Sequence, residues 1–213
     1  MSGRRSSSHS ELGSRRTRVS KLHSKEAAEM FRNAQSIWRH GEEASSDVRQ
    51  KALEKYTQAA QSGIAEYEIA LGQILCDEDH PDTANFEEGF NWILNAAMHG
   101  DPGAQYWIAR ELATGENVRR DPSLTAYWYR RAARRGLAAA KYNLGIMYLE
   151  GDGVPANKAR GRQWVHRAAE GGEVLAIMIL ADSYMTGEMG FPVDESKATN
   201  WRAKLDSNDS RPN

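Results

Sequence analysis

The sequence predicts an all-α fold, a right-handed α/α solenoid of about five helix-turn-helix repeats, and three observations predict it. Trp92, Trp128, Trp164 and Trp201 stand 36, 36 and 37 residues apart. An Ala-Ala pair follows at Ala96-Ala97, Ala132-Ala133 and Ala168-Ala169, with a fainter copy at Ala59-Ala60 where Lys55 takes the Trp place. Glycines close the same helix at Gly63, Gly100, Gly136 and Gly172, and a small residue recurs in the other helix at Gly72, Ala109, Gly145 and Ala181. Self-similarity at this period marks stacked supersecondary units, each of which buries its apolar face only against its neighbours.

Taken in order, residues 1–23 hold five arginines, Lys21 and eight Ser or Thr. Such a segment cannot bury enough apolar surface to offset ordering and is expected to be a disordered basic tail. Ser24 is placed to cap a helix from Lys25 to His40, stopped by Gly41, with Ala27, Ala28, Phe31, Ala34, Ile37 and Trp38 along one stripe. Asp47 or Ser46 then caps a helix to about Ser62, so residues 24–63 form a degenerate first repeat. Repeats at 64–100, 101–136, 137–172 and 173–206 follow, and 207–213 is a polar tail expected to be disordered.

Within each repeat the first helix carries Ala, Leu and Tyr at helical spacing, as in Ala140, Leu144 and Tyr148 or Ala176, Leu180 and Tyr184. The small residue beside the Leu marks a close crossing of two helices, which offsets a helix cost for glycine of about 1 kcal/mol. The second helices are expected to begin near Asp82, Asp121, Ala156 and Asp194, with Pro122 at a first helical position. The last of them, Asp194–Leu205, is polar enough to serve as an outer cap. Each Trp lies four residues before an Ala-Ala pair on one helical stripe, which assigns the series to the core.

Composition is that of an ordinary globular protein, with 40% apolar and 27% charged residues. The net charge of −1 hides a segregation: Ile64–Phe90 has eight carboxylates and no Lys or Arg, whereas Arg119–Arg135 has six arginines against Asp121. Cys76 is the sole cysteine, which excludes an intramolecular disulfide. The first residues lack the apolar core of a signal peptide, and the longest apolar run, Val174–Ala181, is far short of the ~20 residues that span a bilayer. These features predict a cytoplasmic protein.

The fourth unit carries Leu144-Gly145, Tyr148, Gly151 to Val154, Lys158-Ala159, Trp164, Ala168-Ala169 and Gly172, and in this it resembles a Sel1-like repeat, a relative of the tetratricopeptide repeat. The third unit follows the pattern through Gly115, Val118, Trp128, Ala132-Ala133 and Gly136. The fifth follows it through Tyr184, Gly187, Val193, Lys197-Ala198 and Trp201, with one extra loop residue. The second unit lacks the loop glycines between Cys76 and Phe86. The resemblance implies a bacterial, non-catalytic α/α scaffold for protein interactions, of the kind linked to regulation, envelope or secretion.

Other chemistry is weak in the sequence. Gly151–Ala156 matches a GxGxxA dinucleotide fingerprint, but a helix precedes it where that motif requires a strand. Asp77, Asp79 and Glu88 imitate a calcium loop, yet Asp82 stands where the sharp turn requires glycine. The six histidines show no metal spacing, Cys76 has no nucleophile motif, and no acid, base and nucleophile group by spacing. No enzyme activity, cofactor or metal is therefore expected.

The expected binding surface is a concave groove lined by the first helices. Trp107 is its best candidate, because its place is taken by Ala70, Asn143 and Ile179 in other repeats and so varies from copy to copy. With Arg110 and Glu111, and continued by Asn143, Met147, Ile179 and Asp182, it forms a candidate patch for a partner protein segment. The alternative is nucleic acid or an anionic surface bound through the basic tail and Arg119–Arg135. The acidic second repeat argues against it. Either a monomer or a homodimer is compatible with the repeat pattern.

Overall fold

The computed structural model describes residues 24–38 and 45–209. They form ten helices: α1 (24–38), α2 (Ser46–Ala60), α3 (Ala65–Leu75), α4 (Phe86–His99), α5 (Pro102–Thr114), α6 (Pro122–Arg134), α7 (Ala138–Glu150), α8 (Lys158–Glu170), α9 (Val174–Thr186) and α10 (Glu195–Asp209). A single 3-10 turn, Glu188–Gly190, interrupts the last loop, and no strand occurs among the described residues. The fold is thus an all-α solenoid of five A/B helix pairs, A odd-numbered and B even-numbered. The expected basic tail at 1–23, the Gly41 stop and residues 210–213 lie outside the described residues.

By packing, the chain divides into two compact units, one ending at Ala96 and one beginning at Ala97. In the first, Ala27, Phe31, Ala34, Tyr56, Tyr67 and Leu71 share one core, with the Phe31 ring 5.6 Å from Tyr56 and 4.5 Å from Tyr67. In the second, α7 and α8 pack together, and Val165, Ala168, Ile177, Leu180, Tyr184, Phe191 and Trp201 form a core shared by the fourth and fifth repeats. Trp128 and Trp201 are buried, while Trp92 and Trp164 are half-buried.

The A and B helices of a repeat touch almost backbone to backbone. A Cβ on Gly145 would stand 2.8 Å from Val165 Cγ2 and 3.1 Å from the Gly161 carbonyl, and one on Gly161 would stand 2.9 Å from the Gly145 carbonyl. Gly72 and Gly89 repeat this reciprocity, each within 2.8 Å of the other's carbonyl by the same construction. The register continues through Ala109 with Thr125 and Ala181 with Ala198, all four buried. Small residues are therefore required on both helices, and the B-helix partners lie three residues before each Trp position.

A second repeating device fixes the turn between A and B. The first residue before each B helix donates its N–H to a carbonyl near the end of the A helix: Asn85 to Leu75 (2.7 Å), Asp121 to Leu112 (3.2 Å), Asn157 to Tyr148 (2.7 Å) and Asp194 to Tyr184 (2.7 Å). The same four side chains accept from the first turn they precede, at Glu88, Leu124, Arg160 and Lys197. The B helices of repeats two and four are accordingly capped by Asn85 and Asn157 and start one residue later, past the expected Asp82 and Ala156. In repeat one the cap is Ser45, whose side chain makes no cap hydrogen bond, and α10 runs on to Asp209, past the expected end at Leu205.

The A helices of repeats three to five end on Gly115, Gly151 and Gly187, at φ of 73°, 82° and 76°, a region closed to most side chains. In repeat two Cys76 takes that place at φ −87°, which the glycine-free loop after it accommodates. Loops also clamp onto the preceding repeat. Arg49 pairs with Asp82 at 2.8 Å, Arg120 with Asp152 at 2.7 Å, and Arg162 donates to the Met189 and Gly190 carbonyls at 3.2 and 3.0 Å.

The Lys197 amide, and then its ammonium, hold the Asp194 carboxyl below its ordinary range. A carboxylate whose pKa is depressed in the fold stabilises it above the ordinary value of about 3.9 and loses that contribution as pH falls through the depressed value. We therefore expect the Lys197 amide NMR shift to titrate with a midpoint below the ordinary aspartate value. In Asp194→Asn, which keeps the cap acceptor, the acid transition should vanish. A midpoint at or above the ordinary value would contradict this assignment.

Candidate functional site

The residues proposed for a groove sit on α5, α7 and α9, one turn or one repeat apart. Trp107 is half-buried on α5, and Arg110 is exposed one turn on. Glu111 beside it is half-buried and accepts from Asn117 Nδ2 at 3.3 Å. Asn143 donates from Nδ2 to the Ala139 carbonyl at 3.1 Å and to the Tyr106 hydroxyl at 3.5 Å. Since Tyr106 belongs to the preceding A helix, the register position of Trp107, Asn143 and Ile179 lies along the seams between consecutive repeats. Ile179 is half-buried against the core of the fifth repeat.

Met147 is only 7% exposed and belongs to the interior. Its register mate Ser183 is buried too, so that column turns inward after Glu111. Asp182 is exposed and accepts from Arg202 Nη2 at 3.3 Å. The surface that remains open on the A helices therefore runs through Trp107, Arg110 and Asp182, with the edges of Glu111, Asn143 and Ile179.

Sequence reasoning missed the strongest apolar feature of this surface. Leu175, Met178 and Met185 on α9 are 53%, 47% and 38% exposed. One repeat earlier the mates of Met178 and Met185, Tyr142 and Leu149, pack onto the core shared by the fourth and fifth repeats. Burial there, and the charges of Glu173 and Glu150, raise the pKa of the Tyr142 hydroxyl. In α9 the same positions are open, flanking the Asp182–Arg202 pair that replaces Ile146 and Val165. A signal was available: Val174–Ala181 is wholly apolar, yet a helix directs only about three or four residues in seven at a core.

Elsewhere the structure assigns local roles to the other motifs. Gly153 packs on the Pro122 carbonyl with no room for a Cβ, and Gly151 is a helix cap. Asp77 accepts from the Asp79 amide and from His80 Nδ1, both within its own turn. Cys76 Sγ is half-buried, 3.9 Å from the Phe86 carbonyl oxygen. Among the described residues no three His, Cys, Asp or Glu side chains are grouped to hold a metal ion, and no helix is long and apolar enough to cross a membrane.

The chain matches the Sel1 repeat model four times, over residues 65–101, 102–137, 138–173 and 174–201. Among solved structures it is similar to a Sel1 repeat protein from Oxalobacter formigenes, with 27% identity and a TM-score of 0.70 over 85% of this chain and 73% of that one. It is also similar to a protective antigen of uropathogenic Escherichia coli strains, with 33% identity and a TM-score of 0.66 over 73% of this chain. This chain spans 33% of that antigen's length. An immunity protein from Pseudomonas aeruginosa, 20% identical with a TM-score of 0.56 over 92% of this chain and 75% of that one, shares the fold. No match was found among curated proteins. Four family repeats laid over the observed helix pairs are decisive: the chain belongs to the Sel1 repeat family, whose members are generally non-catalytic scaffolds for protein–protein interaction.

Proposed function

We propose that this protein is a non-catalytic adaptor that binds a segment of a partner protein along the A helices of repeats three to five. The observation that carries this reading is the open stripe of Leu175, Met178 and Met185 around Asp182. Exposed apolar side chains gathered on one helix mark interaction sites, and methionine adapts its shape to an incoming surface. Trp107 and Arg110 add anchors of the types that dominate binding hot spots. A helix or extended segment laid across α9, α7 and α5 would meet apolar contacts first and the Arg110 and Trp107 pair last. Regulation in bacteria is the process we assign to such an adaptor, by kinship with the bacterial relatives.

The test places a photo-crosslinking amino acid at position 110, 178 or, as a control on a B helix, 123. The same protein should be captured from 110 and 178 and not from 123. Its affinity should then fall at least about tenfold in Trp107→Ala and in Met178→Glu, with helicity unchanged. Equal capture at all three positions, or undiminished affinity in both variants, would overturn the reading.

A further inference from the structure

The B helices carry a second surface of different chemistry. Each tryptophan of repeats three to five supports a cation three residues later: the Arg131 guanidinium lies 5.2 Å from the Trp128 ring centre, Arg167 5.2 Å from Trp164, and Lys204 Nζ 4.0 Å from Trp201. Arg131 is further fixed by donating from Nη1 to the Tyr127 hydroxyl at 2.8 Å. A guanidinium stacked on a ring face is held in place with its N–H edges turned outward, ready for a carboxylate. Among the described residues neither Arg131 nor Arg167 has a carboxylate within ion-pair distance.

Charge on α6 and α8 is one-sided. Within their helical spans, α6 carries Arg130, Arg131 and Arg134 with no carboxylate, and α8 carries Lys158, Arg160, Arg162 and Arg167 against Glu170 alone. That one carboxylate is engaged with His166 at 3.2 Å. Beside the cation column runs a neutral one, Tyr127, Gln163 and Asn200, all exposed, and Leu124 is exposed at the α6 end.

We propose that this strip docks an acidic protein segment, lying across α6 and α8 with a carboxylate on each of Arg131 and Arg167. Charge complementarity selects an anion. The neutral column suits a peptide, because the exposed side-chain amides of Gln163 and Asn200 pair with both the N–H and the C=O of a peptide backbone. The tryptophans offer little for base stacking, since Trp128 and Trp201 are buried and a cation lies over each ring. Like helices of successive repeats stand at least one helix diameter apart, about 10 Å, and a polyproline II strand covers about that in three residues, one full turn that returns its side chains to the same face. Glutamates at every third position, beginning beside an apolar residue for Leu124 and Tyr127, therefore match the strip.

The experiment measures fluorescence anisotropy of a short labelled peptide bearing Leu followed by Glu at every third position, against the full chain. Binding should weaken steeply with salt, and a control peptide with Gln at each Glu should not bind. The Arg131→Gln/Arg167→Gln double variant should bind at least about tenfold more weakly, with Arg131→Lys/Arg167→Lys intermediate, since lysine keeps the charge but not the stacked planar fork. Trp107→Ala should bind as the wild type does, which separates this site from the A-helix surface. Equal binding of the two peptides to the wild type would overturn the proposal, as would undiminished binding by the glutamine variant. So would duplex DNA or phosphatidylserine vesicles binding where the glutamate peptide does not.

Discussion

The close approach of the two helices in each repeat is the constraint on which the rest of the structure depends. Where Gly145 meets Gly161 and Gly72 meets Gly89, main chains touch with no side chain between them. At that separation the N–H before each B helix reaches a carbonyl at the end of the A helix, so the turn is pinned to the crossing. Larger side chains are forced to the flanks, where Leu144, Val165, Leu180 and Trp201 form the interior. Stacking of repeats then follows from the flanks, and the two kinds of exposed surface follow from what stacking leaves over.

That division separates two chemistries. The A helices offer apolar and mixed-charge groups, from Arg110 through Asp182 to Met178, and on α9 these stand where the fourth repeat packs onto the core. The B helices offer cations seated on tryptophan. The same tryptophan thus serves the core with one part of its ring and positions a charge with another, so repetition of a core residue repeats a binding group. The Asp182–Arg202 pair shows the complementary tactic: charge replaces Ile146 and Val165 at the register positions that no further described repeat covers.

Much of this was legible in the sequence, because landmarks that repeat at fixed spacing report packing directly. Trp92 to Trp201, the Ala-Ala pairs and the small A-helix residues located all but the first pair of helices. The B-helix half of the crossing was not seen, since Gly89, Thr125, Gly161 and Ala198 differ enough in type to hide their common register. Helix starts were misplaced where several capping residues compete, as at Asp82 and Asn85, and only the hydrogen bond from the Glu88 amide decides between them. Met147 was read as surface because periodicity gives a face but not how far a neighbouring helix covers it. Leu175, Met178 and Met185 were hidden inside a run that looked like core throughout.

The central claim is that main-chain contact at the A/B crossing sets the geometry of each repeat, and a double-substitution cycle tests it most directly. Urea unfolding of Gly145→Ala, Gly161→Ala and the double variant gives the three free energies needed. The account predicts that each single change destabilises, even though alanine favours a helix over glycine by about 1 kcal/mol. It also predicts that the double costs clearly less than the sum, because helices already forced apart by one methyl group accommodate the second. Single changes that stabilise the protein, or costs that add, would contradict it.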